Sequence, residues 1–271
     1  MQNLRGCHEH LAIAEKWHLG VTSVNKSYNQ SLCLARISDV LEGKSRMPEY
    51  IRPQKEHVAL ITLSAQRDYI LPSSPIRASG LSRAIPAMSK LVQGFRDRLA
   101  PVYHSIRLYK TDGSNVDLCR RTAVEEGLRI FMPGSLGAEL VDEIQPEGAE
   151  VRINPDILFE GKLQQIGDNE SIFYRPRWGA FHDTPLEEEL RGRGVNTLVL
   201  CGFSFTTATR ATIYEASARD FRVIVVPDAL CNATEQGLRE LGRMGVYLMD
   251  TDELLSWLND PREDSEKDKA A

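Results

Sequence analysis

Runs of apolar residues alternate with longer amphipathic stretches between residues 57 and 258. The first run, residues 57–63, is mostly apolar, which is typical of a strand buried on both faces of a parallel sheet. Similar runs predict further strands at residues 101–108, 171–174, 197–201, 221–226 and 246–249. Helical spacing predicts helices at residues 81–99, 134–144, 185–193 (with Thr184 as N-cap), 210–220, 234–244 and 252–258, while residues 109–121 predict a polar loop. Strands that alternate with helices in this way predict a three-layer α/β/α domain with a mainly parallel sheet.

Two flanking segments lack this pattern. Residues 1–55 contain two weakly periodic stretches, 8–19 and 34–41, each of which predicts a short helix, and residues 47–53 predict an extended linker. The segment is too short and polar for a core of its own. We therefore expect it to cover the main domain as a lid or to reach a neighbouring subunit as an arm, with disorder as the alternative. The charged residues 260–271 are expected to be disordered, which leaves residues 56–259 as the folded domain.

Composition excludes several classes of protein. Charged residues make up 26% of the chain and hydrophobic residues 42%, as in soluble globular proteins. The net charge of −5 and the lack of a basic stripe argue against binding to nucleic acids or membrane surfaces. No apolar run approaches the roughly 20 residues of a transmembrane helix, and the N-terminus lacks the layout of a signal peptide. The five scattered cysteines predict reduced thiols in a cytoplasmic protein, and we expect neither a metal nor a cofactor.

The most informative junction follows the predicted strand at residues 197–201. Gly202 ends this strand, and a group of small hydroxyl residues leads into the helix predicted at residues 210–220. Such a junction directs backbone N–H groups and the positive end of a helix dipole toward the edge where parallel α/β sheets bind ligands. Ala208 lies in the middle of this turn and carries no reactive group.

Three motifs resemble those of the isochorismatase-like hydrolases, also called cysteine hydrolases. Family members carry D-x-Q-x-D-[FY] after the first strand, where this chain has S-A-Q-R-D-Y at residues 64–69. They carry K-x-R-[WYF]-[SG]-A-F in the middle, where this chain has R-P-R-W-G-A-F at residues 175–181. They carry a Gly followed six residues later by Cys, where this chain has Gly202 and Ala208. The resemblance covers residues 57–258 and implies a Rossmann-like fold, usually assembled as a homodimer or homotetramer.

The resemblance also implies a catalytic triad, whose three positions are substituted here. In the family a Cys thiolate attacks an amide carbonyl, an Asp acts as general base, and a Lys supports the charge. The matching positions hold Ser64, Arg175 and Ala208. Members that cleave a vinyl ether also lack the Cys but keep the acid, and a Ser hydroxyl cannot supply a proton near neutral pH as a carboxylic acid can. Neither family mechanism therefore carries over to this chain.

The polar side chains in the first two motifs each have two interpretations. Ser64 is either a nucleophile or a small residue that fills vacated space. Asp68 is either a substitute acid or base, or the partner of a nearby loop in a cap or ion pair. Arg175 either holds an anionic ligand through its planar guanidinium or pairs with Asp68 or another acid.

The remaining motif residues are candidates for ligand binding. Trp178 and Phe181 either form the wall of a pocket for an aromatic or apolar ligand or pack beneath their own loop. His182 is either an acid or base or a surface residue. Gln66 and Arg177 complete the binding candidates, although Arg177 fits a structural role in the motif better.

The turn around Ala208 offers hydrogen-bond donors. Thr206 and Thr207 either donate to a ligand or cap the helix that follows. The backbone N–H groups near Thr207 and Ala208 are candidates for an oxyanion hole, because backbone geometry survives the loss of a side chain. Cys201 ends an apolar strand, where a buried thiol is inert.

Three hypotheses follow for the function. In the first, the protein keeps the family pocket, binds a small anionic or aromatic molecule, and catalyses an altered or non-hydrolytic reaction. In the second, it is a non-catalytic family member that acts as a ligand-binding or structural protein. In the third, Ala208 is an engineered replacement in an active amidohydrolase, which accounts for only one of the three substitutions.

Overall fold

The computed structural model describes residues 49–148 and 150–261. The helices predicted at 8–19 and 34–41, the lid or arm, and nearly all of the charged tail lie outside these residues. Within the linker predicted as extended, Glu49–Ile51 forms a single 3₁₀ turn. None of the described helices is both long and apolar enough to cross a membrane.

A seven-stranded sheet forms the centre of the described domain. Its strands are β1 (Val58–Leu63), β2 (Val102–Ile106), β3 (Gln164–Gly167), β4 (Glu170–Tyr174), β5 (Thr197–Gly202), β6 (Arg222–Leu230) and β7 (Tyr247–Leu248). Their order is β3-β4-β2-β1-β5-β6-β7, and every neighbouring pair is parallel except β3 with β4. The predicted α/β class with a mainly parallel sheet is therefore confirmed.

Helices cover both faces of this sheet. They are α1 (Leu81–Asp97), α2 (Leu118–Glu125), α3 (Pro155–Phe159), α4 (Leu186–Gly192), α5 (Arg210–Ser217), α6 (Glu235–Arg243) and α7 (Thr251–Asn259). Side chains of β1 alternate between two apolar clusters, with Leu60 beside α1 and α7 residues and Ile61 beside residues of α4, α5 and α6. All six residues of β1 are buried, as its continuous apolar run predicted.

Several elements differ from the prediction. Residues 134–144 form two 3₁₀ turns, Leu136–Ala138 and Asp142–Ile144, instead of one helix. The chain between these turns is extended, because Gln66 forms an antiparallel bridge with Leu140. The predicted loop at 109–121 contains the start of α2, and α3 and β3 had no apolar signal strong enough to predict them. Thr184 lies one residue before the N-cap of α4, which is Pro185.

The strand register brings the candidate motifs to one edge of the sheet. Leu63 at the end of β1 is paired with Gly202 at the end of β5, and Ile106 is paired with Tyr174 at the end of β4. Gly202 has φ +143°, and a Cβ there would collide with the carbonyl oxygen of Leu63. Glycine is therefore required for β1 and β5 to approach closely at this edge.

Candidate functional site

Ser64 and Arg175, 111 residues apart, are in direct contact. The Arg175 guanidinium donates from Nη2 to the Ser64 hydroxyl, and both side chains are buried. Ser64 has φ +59°, and its N–H donates to the carbonyl oxygen of Ser105 at the end of β2 (2.9 Å). The loops that follow β1 and β4 are thus joined at the carboxyl edge of the sheet.

The loop that follows β4 curls around the guanidinium of its own Arg175. Nη1 of Arg175 donates to the carbonyl oxygens of Arg177 (2.8 Å) and Trp178 (3.1 Å), whereas Nε has no hydrogen-bond partner among the described residues. Burial, and then the positive charge of Arg107, lower the pKa of Arg175 to about 9, which leaves it charged at neutral pH. Within the described chain its acceptors are a hydroxyl and two carbonyls, so the ion pair with Asp68 that was one interpretation does not form.

A second buried arginine, Arg107, was missed by the sequence reasoning. Its Nη1 donates to the carbonyl oxygens of Arg175 (3.0 Å) and Arg177 (2.8 Å), so it supports the loop that carries Arg175. Its Nη2 pairs with the Asp117 carboxylate, which also accepts a hydrogen bond from the Tyr109 hydroxyl (2.9 Å). A charged residue directly after an apolar strand was the available signal, but nothing local identified Asp117 as its partner.

Asp68 and Gln66 are engaged within the protein. The Asp68 carboxylate accepts a hydrogen bond from the backbone N–H of Phe131 and occupies the space where a Cβ on Gly137 would be. Burial raises the pKa of Asp68, and the hydrogen bond from Phe131 opposes this effect. These contacts favour the interpretation of Asp68 as the partner of a nearby loop.

The side-chain amide of Gln66 joins two loops through hydrogen bonds. Its Nε2 donates to the carbonyl oxygens of Arg107 (2.8 Å) and Ala138 (2.7 Å), and its Oε1 accepts from the N–H of Arg107 (2.8 Å). Both amide hydrogens are therefore used. The buried amide has no hydrogen left to donate to a ligand, which favours a structural interpretation of Gln66 over a binding one.

The turn at Ala208 is a single π-helical turn, Phe205–Thr209, that leads directly into α5. Ala208 is 1% exposed and belongs to the apolar cluster on that face of the sheet. Thr206 is exposed, and the half-buried Thr207 contacts the hydroxyl of Ser204 instead of capping the backbone. π-Turns of this kind are frequent at functional sites.

The middle of the second motif lies partly at the surface. Trp178 is 40% exposed, and Arg177 is exposed with its guanidinium on the carbonyl oxygen of Pro176 (2.7 Å). His182 is exposed beside Asp183, with 3.2 Å between Nε2 and a carboxylate oxygen. His182 therefore contacts a surface neighbour, which favours its interpretation as a surface residue.

Phe181 lies inside the protein. Its ring packs against Phe221 with 5.5 Å between centroids, and the Arg219 guanidinium lies over it at 5.1 Å. Its backbone N–H donates to Glu215 of α5 (2.8 Å), and a Cβ on Gly179 would collide with that same carboxylate. Of the two interpretations of Phe181, packing beneath the loop is the one the structure supports.

A separate buried charge cluster involves His104 on β2. Nε2 of His104 and the guanidinium of Arg96 both contact the Glu170 carboxylate at 2.7 Å, and Nδ1 of His104 contacts Thr62 (2.8 Å). Burial by itself raises the pKa of Glu170, but the hydrogen bonds and charges of His104 and Arg96 outweigh it and lower the pKa to about 2. This cluster joins α1 to β1, β2 and β4.

Cys201 does not supply a replacement thiolate. It is fully buried at the end of β5, and burial, followed by the charge of Asp228, raises the pKa of its thiol well above the ordinary value. A thiol that stays protonated is a poor nucleophile. This agrees with the expectation of an inert structural cysteine.

Comparisons with known proteins identify relatives across the described domain. Residues 58–253 match the family model of the isochorismatase domain. A protein of Arabidopsis thaliana named a probable inactive nicotinamidase is 28% identical over 182 residues, which cover 66% of this chain and 83% of that protein. A ureidoacrylate amidohydrolase of Methylobacterium radiotolerans is 25% identical over 147 residues, which cover 54% of this chain but only 47% of that enzyme.

Solved structures show the same architecture. An isochorismatase family protein from Desulfovibrio vulgaris aligns with a TM-score of 0.64 and 26% identity, covering 75% of this chain and 99% of that one. The N-carbamoylsarcosine amidase of Thermoplasma acidophilum aligns with a TM-score of 0.57 and 22% identity, covering 72% of this chain and 97% of that one. At that identity the second likeness concerns the fold alone.

Proposed function

Because this chain belongs to the isochorismatase family, we propose that it is a member without thiol-dependent hydrolysis that binds a small aromatic or apolar carboxylate at Arg175. The observation that carries the proposal is a fully buried guanidinium whose hydrogen-bond acceptors within the described chain are all uncharged. A buried charge without a counter-ion is unfavourable, and an incoming carboxylate would offset that cost.

Loss of hydrolysis is supported by the chemistry at the three triad positions. Ala208 has no nucleophile, and Ser64 has no carboxyl group to act as a base. Arg175 keeps the positive charge of the family Lys, because its pKa of about 9 leaves the guanidinium protonated near neutral pH. The name of the Arabidopsis relative, a probable inactive nicotinamidase, is consistent with a branch that has left amide hydrolysis.

The surroundings of Arg175 suit a ligand with a carboxylate at one end and a flat body at the other. A guanidinium fork matches the geometry of a carboxylate. Trp178 is partly exposed and shares the loop that encloses the Arg175 guanidinium, so its ring is our candidate for contact with the ligand body. The N–H groups near Thr207 and Ala208 are the candidates for further donors to the bound molecule.

Binding of benzoate and benzamide, measured by isothermal titration calorimetry, tests the proposal. The two probes share a ring and differ in charge, so we expect benzoate to bind at least about 10-fold more tightly. Arg175→Met should abolish this preference, whereas Arg239→Gln, which removes an exposed arginine paired with Glu235 on α6, should leave it unchanged. No ammonia should be released from benzamide. Equal binding of both probes, or catalysed ammonia release, would contradict the proposal.

A purely structural role for Arg175 is the second candidate. It is favoured by the side chain being 2% exposed and by its bonds to Ser64 and two loop carbonyls. In that case Arg175→Met would lower the free energy of unfolding, and benzoate would bind to neither the parent protein nor the variant. The homo-oligomer and the cytoplasmic location expected from the sequence remain predictions, the first of which light scattering can test.

A further inference from the structure

The loop that follows β4 is bound to α5 by two side chains of that helix. The Ala180 N–H donates to the Thr212 hydroxyl (3.1 Å). The next N–H along the chain, that of Phe181, donates to the Glu215 carboxylate (2.8 Å). Thr212 and Glu215 are three residues apart on α5, so they are neighbours on one face of the helix. The end of the loop therefore depends on α5, and not on the sheet, for the acceptors of these two N–H groups.

Gly179 allows the Glu215 carboxylate to lie directly against the backbone of this loop. A Cβ on Gly179 would overlap the carboxylate carbon and both oxygens of Glu215. Within the described chain this carboxylate forms no ion pair, and the nearby Arg219 pairs with Glu187 instead (2.8 Å). The partner of the Glu215 carboxylate is thus a backbone N–H, and its contact surface is the backbone of a glycine.

The peptide unit between Trp178 and Gly179 connects Glu215 to the guanidinium of Arg175. The carbonyl oxygen of this unit, which belongs to Trp178, accepts a hydrogen bond from Nη1 of Arg175 (3.1 Å). Gly179, on the other side of the same peptide bond, lies against the Glu215 carboxylate. Because a peptide unit is planar, a shift of Gly179 moves the Trp178 carbonyl with it. Glu215 therefore fixes one of the acceptors that orient the guanidinium.

We infer that Glu215 is a positioning residue for the anion site proposed at Arg175. By holding the backbone at Gly179, it keeps the guanidinium in the orientation that binds a carboxylate. This inference rests on the proposed function, since it names a residue that controls the same site. The physical reason is that a guanidinium binds a carboxylate through two parallel hydrogen bonds, and this geometry tolerates little misorientation.

Binding of benzoate and benzamide to variants of the full-length protein, measured by isothermal titration calorimetry, tests the inference. Glu215→Ala should lower the preference for benzoate by about 5-fold or more. Glu215→Gln keeps an acceptor at the same reach and should retain the preference within about 2-fold. Glu215→Asp keeps the charge but is too short to reach the loop, so it should behave like Glu215→Ala. Glu235→Ala, which removes an exposed carboxylate on α6, is the control and should leave the preference unchanged.

A loss of stability alone would not produce this pattern. The affinity of a folded protein for its ligand does not depend on its free energy of unfolding as long as nearly all molecules are folded. Urea unfolding of each variant checks that condition. Should Glu215→Ala not fold, Gly179→Ala tests the same contact from the side of the loop, because the added Cβ displaces the carboxylate. It is expected to lower the preference in the same direction.

The outcomes separate this inference from the function on which it rests. If the parent protein prefers benzoate and Glu215→Ala keeps that preference within about 2-fold, the inference is wrong and the proposed function stands. If Glu215→Gln loses the preference as fully as Glu215→Ala, the charge matters and not the hydrogen bond, and the inference also fails. The same holds if Glu215→Asp retains the preference. If the parent protein shows no preference for benzoate, the proposed function and the inference fall together.

Discussion

Removal of the Asp117 carboxylate is expected to destabilise the fold strongly. The side chains of Arg107 and Asp117 are only 2% and 7% exposed, and Asp117 also accepts from the Tyr109 hydroxyl (2.9 Å). Asp117→Ala therefore leaves a buried guanidinium without its anion and a buried phenol without its acceptor. The same change loosens the support of the Arg175 loop, which Arg107 holds through two carbonyl oxygens.

The magnitude follows from the burial of the pair. Breaking a buried ion pair by removing one partner costs about 3–5 kcal/mol. Loss of the acceptor for Tyr109 adds about 1 kcal/mol, although relaxation of the site offsets part of the total. We therefore expect Asp117→Ala to lower the free energy of unfolding by about 3–5 kcal/mol. Asp117→Asn keeps a hydrogen-bond acceptor but removes the charge, and it should lower the free energy of unfolding by about half as much as Asp117→Ala.

Equilibrium unfolding in urea, followed by tryptophan fluorescence, measures this effect. With a slope of about 2–3 kcal/mol per molar urea, Asp117→Ala should move the midpoint down by about 1–2 M. Asp252→Ala is the control, because it breaks an ion pair with Lys90 in which the two side chains are 84% and 58% exposed. That exposed pair should contribute less than about 1 kcal/mol.

A small effect would refute the reasoning. If Asp117→Ala costs less than about 1 kcal/mol, the carboxylate is not the counter-ion on which Arg107 depends. The double variant Arg107→Met with Asp117→Leu gives an independent check, since replacing both charges with apolar groups removes the uncompensated charge. It should be more stable than Asp117→Ala alone, even though the carbonyl oxygens of Arg175 and Arg177 each lose the hydrogen bond from Arg107.

Three further predictions concern other parts of the domain. Burial opposes the ionisation of Glu170, but its hydrogen bonds lower the pKa from 4.5 to about 2. The ionised Glu170 should therefore contribute about 3 kcal/mol to the free energy of unfolding above pH 4.5, and this contribution should disappear as the pH falls toward 2. In the Glu170→Gln variant the free energy of unfolding should not show this decrease between pH 4.5 and 2. Gly202→Ala should lower the free energy of unfolding in urea by more than about 3 kcal/mol, because φ is +143° and a Cβ would collide with the carbonyl oxygen of Leu63. A near-neutral effect would contradict the close approach of β1 and β5. Ala208→Cys alone should release no ammonia from benzamide, whereas joining it with Ser64→Asp and Arg175→Lys should produce measurable release if the family pocket is intact.

The triple variant also depends on a backbone feature that favours it. Ser64 adopts a left-handed conformation with φ +59°, which Asp tolerates better than most residues with a side chain. The substitution Ser64→Asp should therefore be accepted without a change of backbone. Failure of the triple variant to fold would point to the packing around the side chain at residue 175 as the obstacle.

Local signals in the sequence were sufficient for the strands that build the site. β1, β2, β4, β5 and β6 were all predicted near their observed positions, because each is an apolar run buried by layers on both sides. The elements that were missed are α2, which begins inside the loop predicted at 109–121, and the short α3 and β3. The two adjacent polar residues Gln164 and Gln165 give β3 no apolar pattern. Prediction failed where an element carries no apolar run of its own, because burial is the signal from which the strands were predicted.

The motifs by themselves determined the family, the α/β fold and the positions expected to form the site. Only the tertiary structure decided what each side chain does there. In the folded protein Arg175 donates to Ser64, and both amide hydrogens of Gln66 are donated to backbone carbonyl oxygens. Phe181 is buried against Phe221.

The physical reason is the range over which each signal acts. Hydrophobic periodicity is a local property of the chain, so it can be read within a single strand or helix. The partner of a buried charge depends instead on strand register and on loops that are distant in sequence, as when parallel pairing of β2 with β4 brings His104 to Glu170. The sequence therefore determined where the site would be, and the fold decided that Arg175 would be a buried cation with no carboxylate of its own among the described residues.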